Sequence, residues 1–321
     1  MTKLTKAYHA LFEQGISPAE YERRYQAYLS LYFRLRERSA NSFLGRISFE
    51  QRHKLHPLMN FVNAAKNVVM GLRPRVIADR HSKADRPIIY AATHIGKFDI
   101  EVLFEALPDH AYVLSGDYEH LQGSINELFL TANGILFFNE FVNEDRTEIK
   151  QRMIDTLHHG ANLLYFPEGA WNLMPNLPVL PCYWGIIDVA RESNAIIVPV
   201  AIEQYGKRFD VIMGENYDVN DYAATPEGKG EAIIDLRDAM ATLKWEIWEN
   251  HPAKHADIAE HEWEDYVADR YAEWNYPTTD YCDRLCYKPK GITKPEEAFA
   301  PLKQLQPCRE NAFLYNKHLK G

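Results

Sequence analysis

Cysteine is scarce in this chain: four among 321 residues, at 182, 282, 286 and 308. Four cannot form a disulfide framework, so a reducing cytoplasm is the expected compartment. Cys282 and Cys286 are spaced C-x3-C with no second pair following, which does not fit a structural zinc site, so no metal is expected. Long apolar runs are missing too. No stretch approaches the ~18 residues that span a bilayer. The N-terminal MTKLTKAYHALFEQG has no apolar core of a signal peptide. Contact with a membrane is therefore expected at its surface. There is no G-x-x-x-x-G-K-[S/T] loop, no G-x-G-x-x-G after a strand, no G-x-S-x-G elbow and no H-E-x-x-H. These absences argue against nucleotide binding through such loops and against serine esterase chemistry. An excess of basic charge is also lacking. The net charge of −9 argues against a general nucleic-acid binder, and no nucleic-acid partner is expected.

Apolar residues make up 46% and charged residues 25%, ordinary values for a globular chain that can bury a sizeable core. The charge is unevenly spread. Residues 1–84 carry 15 Lys and Arg against 6 Asp and Glu, whereas the rest carry 21 against 39. A basic arm on an acidic body suits an anionic surface such as lipid headgroups, or is a solvated face with no partner.

Periodicity predicts helices over 7–40, with Tyr21, Tyr25, Tyr28 and Tyr32 at helical spacing, and over 55–72, ended by Pro74. Both could lie in a headgroup layer or pack on the domain that follows. From about 86, short apolar runs alternate with helical stretches: 87–92, 111–114, 135–138, 162–166 and 195–202, with 209–213 as a further strand. Such runs predict an α/β fold, a largely parallel sheet covered by helices on both faces, with helical N- and C-terminal extensions. The expected domains are a basic amphipathic arm (1–85), an α/β core (86–225) and an acidic helical extension with an irregular tail (226–321).

Chemistry is expected where strands end. Ala91-Ala-Thr-His94-Ile-Gly-Lys-Phe-Asp99 follows the first strand of the core. Ligands of open α/β sheets bind at strand carboxyl ends. Gly96 permits a sharp turn, and Asp99 falls in the first turn of the next helix, where a carboxylate is favoured. Asp99 could orient the His94 imidazole and leave its other nitrogen as a base, or simply cap the helix. A second strand ends in Phe166-Pro167-Glu168-Gly169, which stops the ladder and leaves a carboxylate at its end. A third is broken by Pro199.

The ordered trio of H-x4-D, F-P-E-G and a V-P-V strand resembles the glycerolipid (lysophosphatidic acid and glycerol-phosphate) acyltransferase superfamily over roughly 86–215. The resemblance implies a fatty acyl thioester donor, acyl-CoA or acyl carrier protein, and no bound cofactor or metal. It implies His94 as the general base for an acceptor hydroxyl and Asp99 as its orienting partner. Gly96, Lys97, Phe166, Pro167, Glu168 and Gly169 would shape the substrate side, and backbone amides near the start of the following helix would stabilise the oxyanion. The expected reaction is acylation of a lysophospholipid or related polar lipid on the inner face of the membrane, reached through the N-terminal arm. Family members read F-P-E-G-T-R-S, but Ala170, Trp171 and Asn172 follow Gly169 here. Glu140 falls at or near an expected Arg, and Tyr183-Trp184 stand where a Lys is usual. Trp171 and Glu140 are thus acceptor-side candidates that favour a neutral headgroup. Arg146, Arg152, Lys97, Lys207 and Arg208 could restore phosphate binding. A sugar, glycolipid or amine acceptor, a non-catalytic lipid-binding protein and a metal hydrolase using His94, Asp99 and Glu168 remain alternatives. His251, His255 and His261 read as a surface helix.

Overall fold

The computed structural model describes residues 2–139, 142–173 and 177–251. The expected second C-terminal helix and tail, with Cys282, Cys286, Cys308, His255 and His261, lie outside the described residues. The elements run α1 (Lys3–His9), α2 (Pro18–Ala40), α3 (Phe49–Met70), β1 (Arg73–Asp79), β2 (Ile88–Ala92), α4 (Asp99–Ala106), β3 (Ala111–Ser115), α5 (Tyr118–Leu121), α6 (Ile125–Asn133), β4 (Ile135–Phe137), α7 (Asn143–His158), β5 (Asn162–Tyr165), α8 (Gly185–Ser193), β6 (Ile196–Tyr205), β7 (Arg208–Met213) and α9 (Pro226–Glu249). The strands form a seven-stranded sheet ordered β1-β7-β6-β2-β5-β3-β4. The pairs β2/β6, β3/β4 and β1/β7 are parallel, whereas β6/β7 is an antiparallel hairpin. The chain is α/β, as its alternating pattern predicts.

One compact unit holds residues 1–60 and 109–163. Helix α2 starts at Ser17, whose hydroxyl accepts the Glu20 amide, with Pro18 in the first turn. Of its helically spaced aromatics Tyr28 and Tyr32 point inward, whereas Tyr21 is exposed. Tyr28 and Tyr32 are buried with Leu4, Tyr8, Leu11, Tyr118 and Phe137 in one cluster. Arg36, from the same helix, forms an ion pair with the buried Asp145.

The other unit holds residues 61–108 and the described residues from 164 onward. Strand β2 is buried along its whole length, in register with β6 from Ile88 opposite Ile196 to Ala92 opposite Val200. The expected helix end at Pro74 is corrected. Gly71, at φ +75°, stops α3 after Met70, with the Leu72 amide bonding back to the Asn67 carbonyl. Residues 73–79, expected in the helical arm, are instead an edge strand beside β7. Their Arg73-Pro-Arg75 opening hides the strand from a periodicity reading, but an exposed edge tolerates charge and proline.

The carboxyl half of α3 has an inverted face. Asn63 and Asn67 are fully buried and donate to the Glu101 carbonyl at 2.7 and 3.2 Å; Asn67 also reaches Glu105 at 2.7 Å. Phe61, Val62, Val68 and Val69 are exposed, Val69 by 88%. Leu55 and Leu58 extend the exposed apolar stripe toward the helix start. Among the described residues no helix is long and apolar enough to cross a membrane.

Candidate active site

The site begins where β2 stops. Thr93 fastens the strand end to β6: its amide donates to the Val200 carbonyl, and its hydroxyl accepts the Ile202 amide at 3.0 Å. His94 is therefore the first residue beyond the last sheet contact, and Gly96, at φ +135°, lets the chain turn into α4.

The turn closes on one oxygen. Asp99, 1% exposed, places Oδ2 at 2.7 Å from His94 Nδ1 and 3.1 Å from the amides of Ile95 and Gly96. A carboxylate oxygen accepting two amides needs a proton on Nδ1 for the third bond, which leaves Nε2 with its lone pair. Nε2 has no hydrogen-bond partner among the described residues, and the His94 side chain is 19% exposed. The expectation that amides at this helix start serve the oxyanion is corrected for Ile95 and Gly96, since Asp99 takes both.

Glu168 holds the same turn from the other side. Its Oε1 accepts the His94 amide at 2.8 Å and its Oε2 the Leu180 amide at 2.7 Å. The Asn172 amide donates to the His94 carbonyl at 2.7 Å, so the imidazole-bearing residue is held through both backbone polar groups. Burial pushes the Glu168 carboxyl up to about 7, against the two amides, Lys244 and His94, which favour its charged form. Sequence reading missed Asn172, whose contact uses a backbone amide that any residue but proline supplies. It also missed Arg237, which donates to the carbonyls of Val179 and Leu180 and braces the loop that meets Glu168.

Aromatic rings wall the imidazole. Phe166 stacks on His94 at 4.3 Å between centroids, and Trp171 meets it edge-on at 6.2 Å. Trp171 is 5% exposed, so its indole packs the base and is not an open platform. Pro167 accepts the Tyr183 amide at its carbonyl. Gly169, at φ +64°, lies under the Tyr183 ring, where a Cβ would sit 2.6 Å from the ring. Tyr183 and Trp184 are exposed, and the Lys229 ammonium lies 5.0 Å from the Trp184 ring centre. The ammoniums of Lys97 and Lys207 lie 5.6 and 5.9 Å from the Phe98 ring centre. Arg208 pairs with Asp210 and His251.

Arg146 is exposed in the first turn of α7, bonded to Asn143, in the unit that lacks His94. Glu140 lies outside the described residues. Among the described residues no three His, Cys, Asp or Glu side chains are grouped to hold a metal ion. The arrangement can take a proton from a hydroxyl at Nε2, with Asp99 stabilising the imidazolium that forms.

Residues 73–203 match the family model Acyltransferase. The backbone is similar to the crystal structure of the 1-acyl-sn-glycerophosphate (LPA) acyltransferase PlsC from Thermotoga maritima, at a TM-score of 0.50 and 14% identity. That alignment covers 80% of this chain and 97% of the other, and shows a shared fold. No curated protein sequence matches the chain.

Proposed function

We propose, from the match of residues 73–203 to the Acyltransferase family model, that the chain is a glycerolipid acyltransferase, which moves a fatty acyl group from an acyl thioester to a hydroxyl of a lysophospholipid or related polar lipid. The observation that carries this reading is the His94–Asp99 pair at 2.7 Å, with Nε2 unengaged. His94 takes the proton of the acceptor hydroxyl as its oxygen attacks the thioester carbonyl. The tetrahedral intermediate then expels the thiolate, which receives the proton from the imidazolium. Asp99 holds the tautomer, and the face of Phe166 favours the transient cation. Glu168 fixes the His94 backbone. Lys97 and Lys207 supply positive charge for an acceptor headgroup. Acyl-CoA or acyl carrier protein is the donor.

The same reading places the enzyme on the cytoplasmic face of a membrane through the outward apolar face of α3. An exposed stripe of Leu, Phe and Val backed by buried asparagines suits a lipid layer better than water. Helix α2 gives less support, because Tyr28, Tyr32 and Arg36 are engaged within its own unit.

The test is mass spectrometry of products from one acyl-CoA offered to a panel of lysophospholipids, glycolipids and amines. The reading expects an ester of a lysophospholipid. Acylated sugar or amine alone would replace the acceptor, and no acylated product with any acceptor would refute the reading.

A further inference from the structure

One peptide unit stands between two buried charges. The Val179–Leu180 peptide offers its carbonyl oxygen to Arg237, whose Nε and Nη2 donate to it at 3.2 and 2.8 Å. The amide of the same peptide donates to Glu168 Oε2 at 2.7 Å. Arg237 Nε also reaches the Leu180 carbonyl at 3.0 Å, so the guanidinium grips the loop at two successive residues. Glu168 carries the connection onward, since its Oε1 accepts the His94 amide at 2.8 Å. Arg237 and Glu168 are each 3% exposed. All these residues belong to the unit that holds His94.

A guanidinium on a carbonyl polarises the peptide, and the N–H at its other end becomes a stronger donor. Arg237 is in this way a counter-charge for Glu168, delivered through one peptide. A buried carboxylate needs such compensation to remain charged. Arg237 stands on α9, outside the residues 73–203 that match the family model. Lys244 lies seven residues further on, on the same face of that helix. Its ammonium donates to the Ile202 carbonyl, which also accepts the Thr93 hydroxyl at 3.3 Å. Helix α9 therefore meets the His94 turn from two sides, at Thr93 through Ile202 and at the His94 amide through Glu168.

We propose that Arg237 is a positioning residue for His94, acting through the Val179–Leu180 peptide and Glu168. This deepens the acyl-transfer reading and rests on it. Loss of Arg237 would release one of the two amides on Glu168 and loosen the backbone that aims the imidazole. The titratable and charged groups around Glu168 are His94, Lys244 and Cys182, and burial keeps the Cys182 thiol protonated. With the Leu180 amide released, the Glu168 carboxyl would keep its proton to higher pH, because that amide favours the charged form.

Full-length wild type, Arg237→Met and Arg237→Lys are compared, each alone and combined with Glu168→Gln, after thermal melting shows them folded. Arg237→Lys keeps a cation in place and replaces Arg237→Met in every comparison should the latter not fold. Kinetics use one acyl-CoA and one lysophospholipid. Arg237→Met is expected to lower kcat about 10- to 100-fold, with both KM values little changed. Arg237→Lys, a point donor without the fork, should fall between. On the Glu168→Gln background the same substitutions should cost less than about threefold, because the link is already cut. Equal losses on both backgrounds would make Arg237 a brace of the fold alone and overturn the proposal, as would an unchanged kcat in a folded, active variant. Urea midpoints across pH read the link without turnover. Relative to its Glu168→Gln counterpart, Arg237→Met should go on losing stability at higher pH than wild type, whose Glu168 titrates near 7. Such a shift in a protein that transfers no acyl group would leave the link standing and remove the acyl-transfer reading. The same pH dependence in wild type and Arg237→Met would overturn the proposal whatever the activity.

Discussion

A single side chain, Asp99, organises the candidate site. One of its oxygens fixes the imidazole and two amides of the turn, which defines the free nitrogen of His94. A positioned base contributes about 10²- to 10⁴-fold, and His94→Ala should lose that factor in kcat with its melting temperature retained. Glu168 acts differently, through the backbone. Its carboxyl titrates near 7 in the folded chain, above the ordinary value of 4.5. Between those values the folded state holds a proton that the unfolded state has released, so stability falls as pH rises. The charged form is the better acceptor for the His94 and Leu180 amides. Relative to Glu168→Gln, which does not titrate, the wild type should lose up to about 3 kcal/mol between pH 4.5 and 7, read from urea midpoints. A constant difference across that range would show that Glu168 is not buried as described. Gly169→Ala forces a side chain into a left-handed conformation and should cost about 1–2 kcal/mol, with the loss visible in thermal melting.

Among the elements, β2 and β6 were legible because buried strands carry unbroken apolar runs, and the F-P-E-G end of β5 because proline and glycine punctuate it. β1 was not legible, since an edge strand needs no apolar period. The inverted face of α3 was hidden for another reason. Hydrophobic periodicity fixes the stripe but not the side it faces, and only the partners of Asn63 and Asn67 reveal that the polar face is inside. The clamp of Asn172 and Leu180 on the His94 turn uses backbone amides and leaves no trace in residue type. The α3 face supports a specific expectation. Val68→Asp with Val69→Asp, both at exposed positions, should leave stability within about 0.5 kcal/mol. Binding to anionic phospholipid vesicles should fall more than about tenfold, because two valines leave the apolar layer and two charges would have to enter it. Unchanged sedimentation with vesicles would show that α3 does not meet the bilayer.

At the scale of the whole molecule, the proposed reaction joins a strand end, an oriented imidazole and an apolar surface in transfer of an acyl group at a lipid layer. In that reaction His94 draws the proton from an acceptor, so that the thioester is cleaved by that acceptor. The direct measurement is release of free thiol from acyl-CoA by wild type and His94→Ala, each with and without a lysophospholipid acceptor. Release by the wild type is expected to depend on the acceptor, with a loss of about 10²-fold or more in His94→Ala. Acceptor-dependent release at wild-type rates by His94→Ala would contradict it.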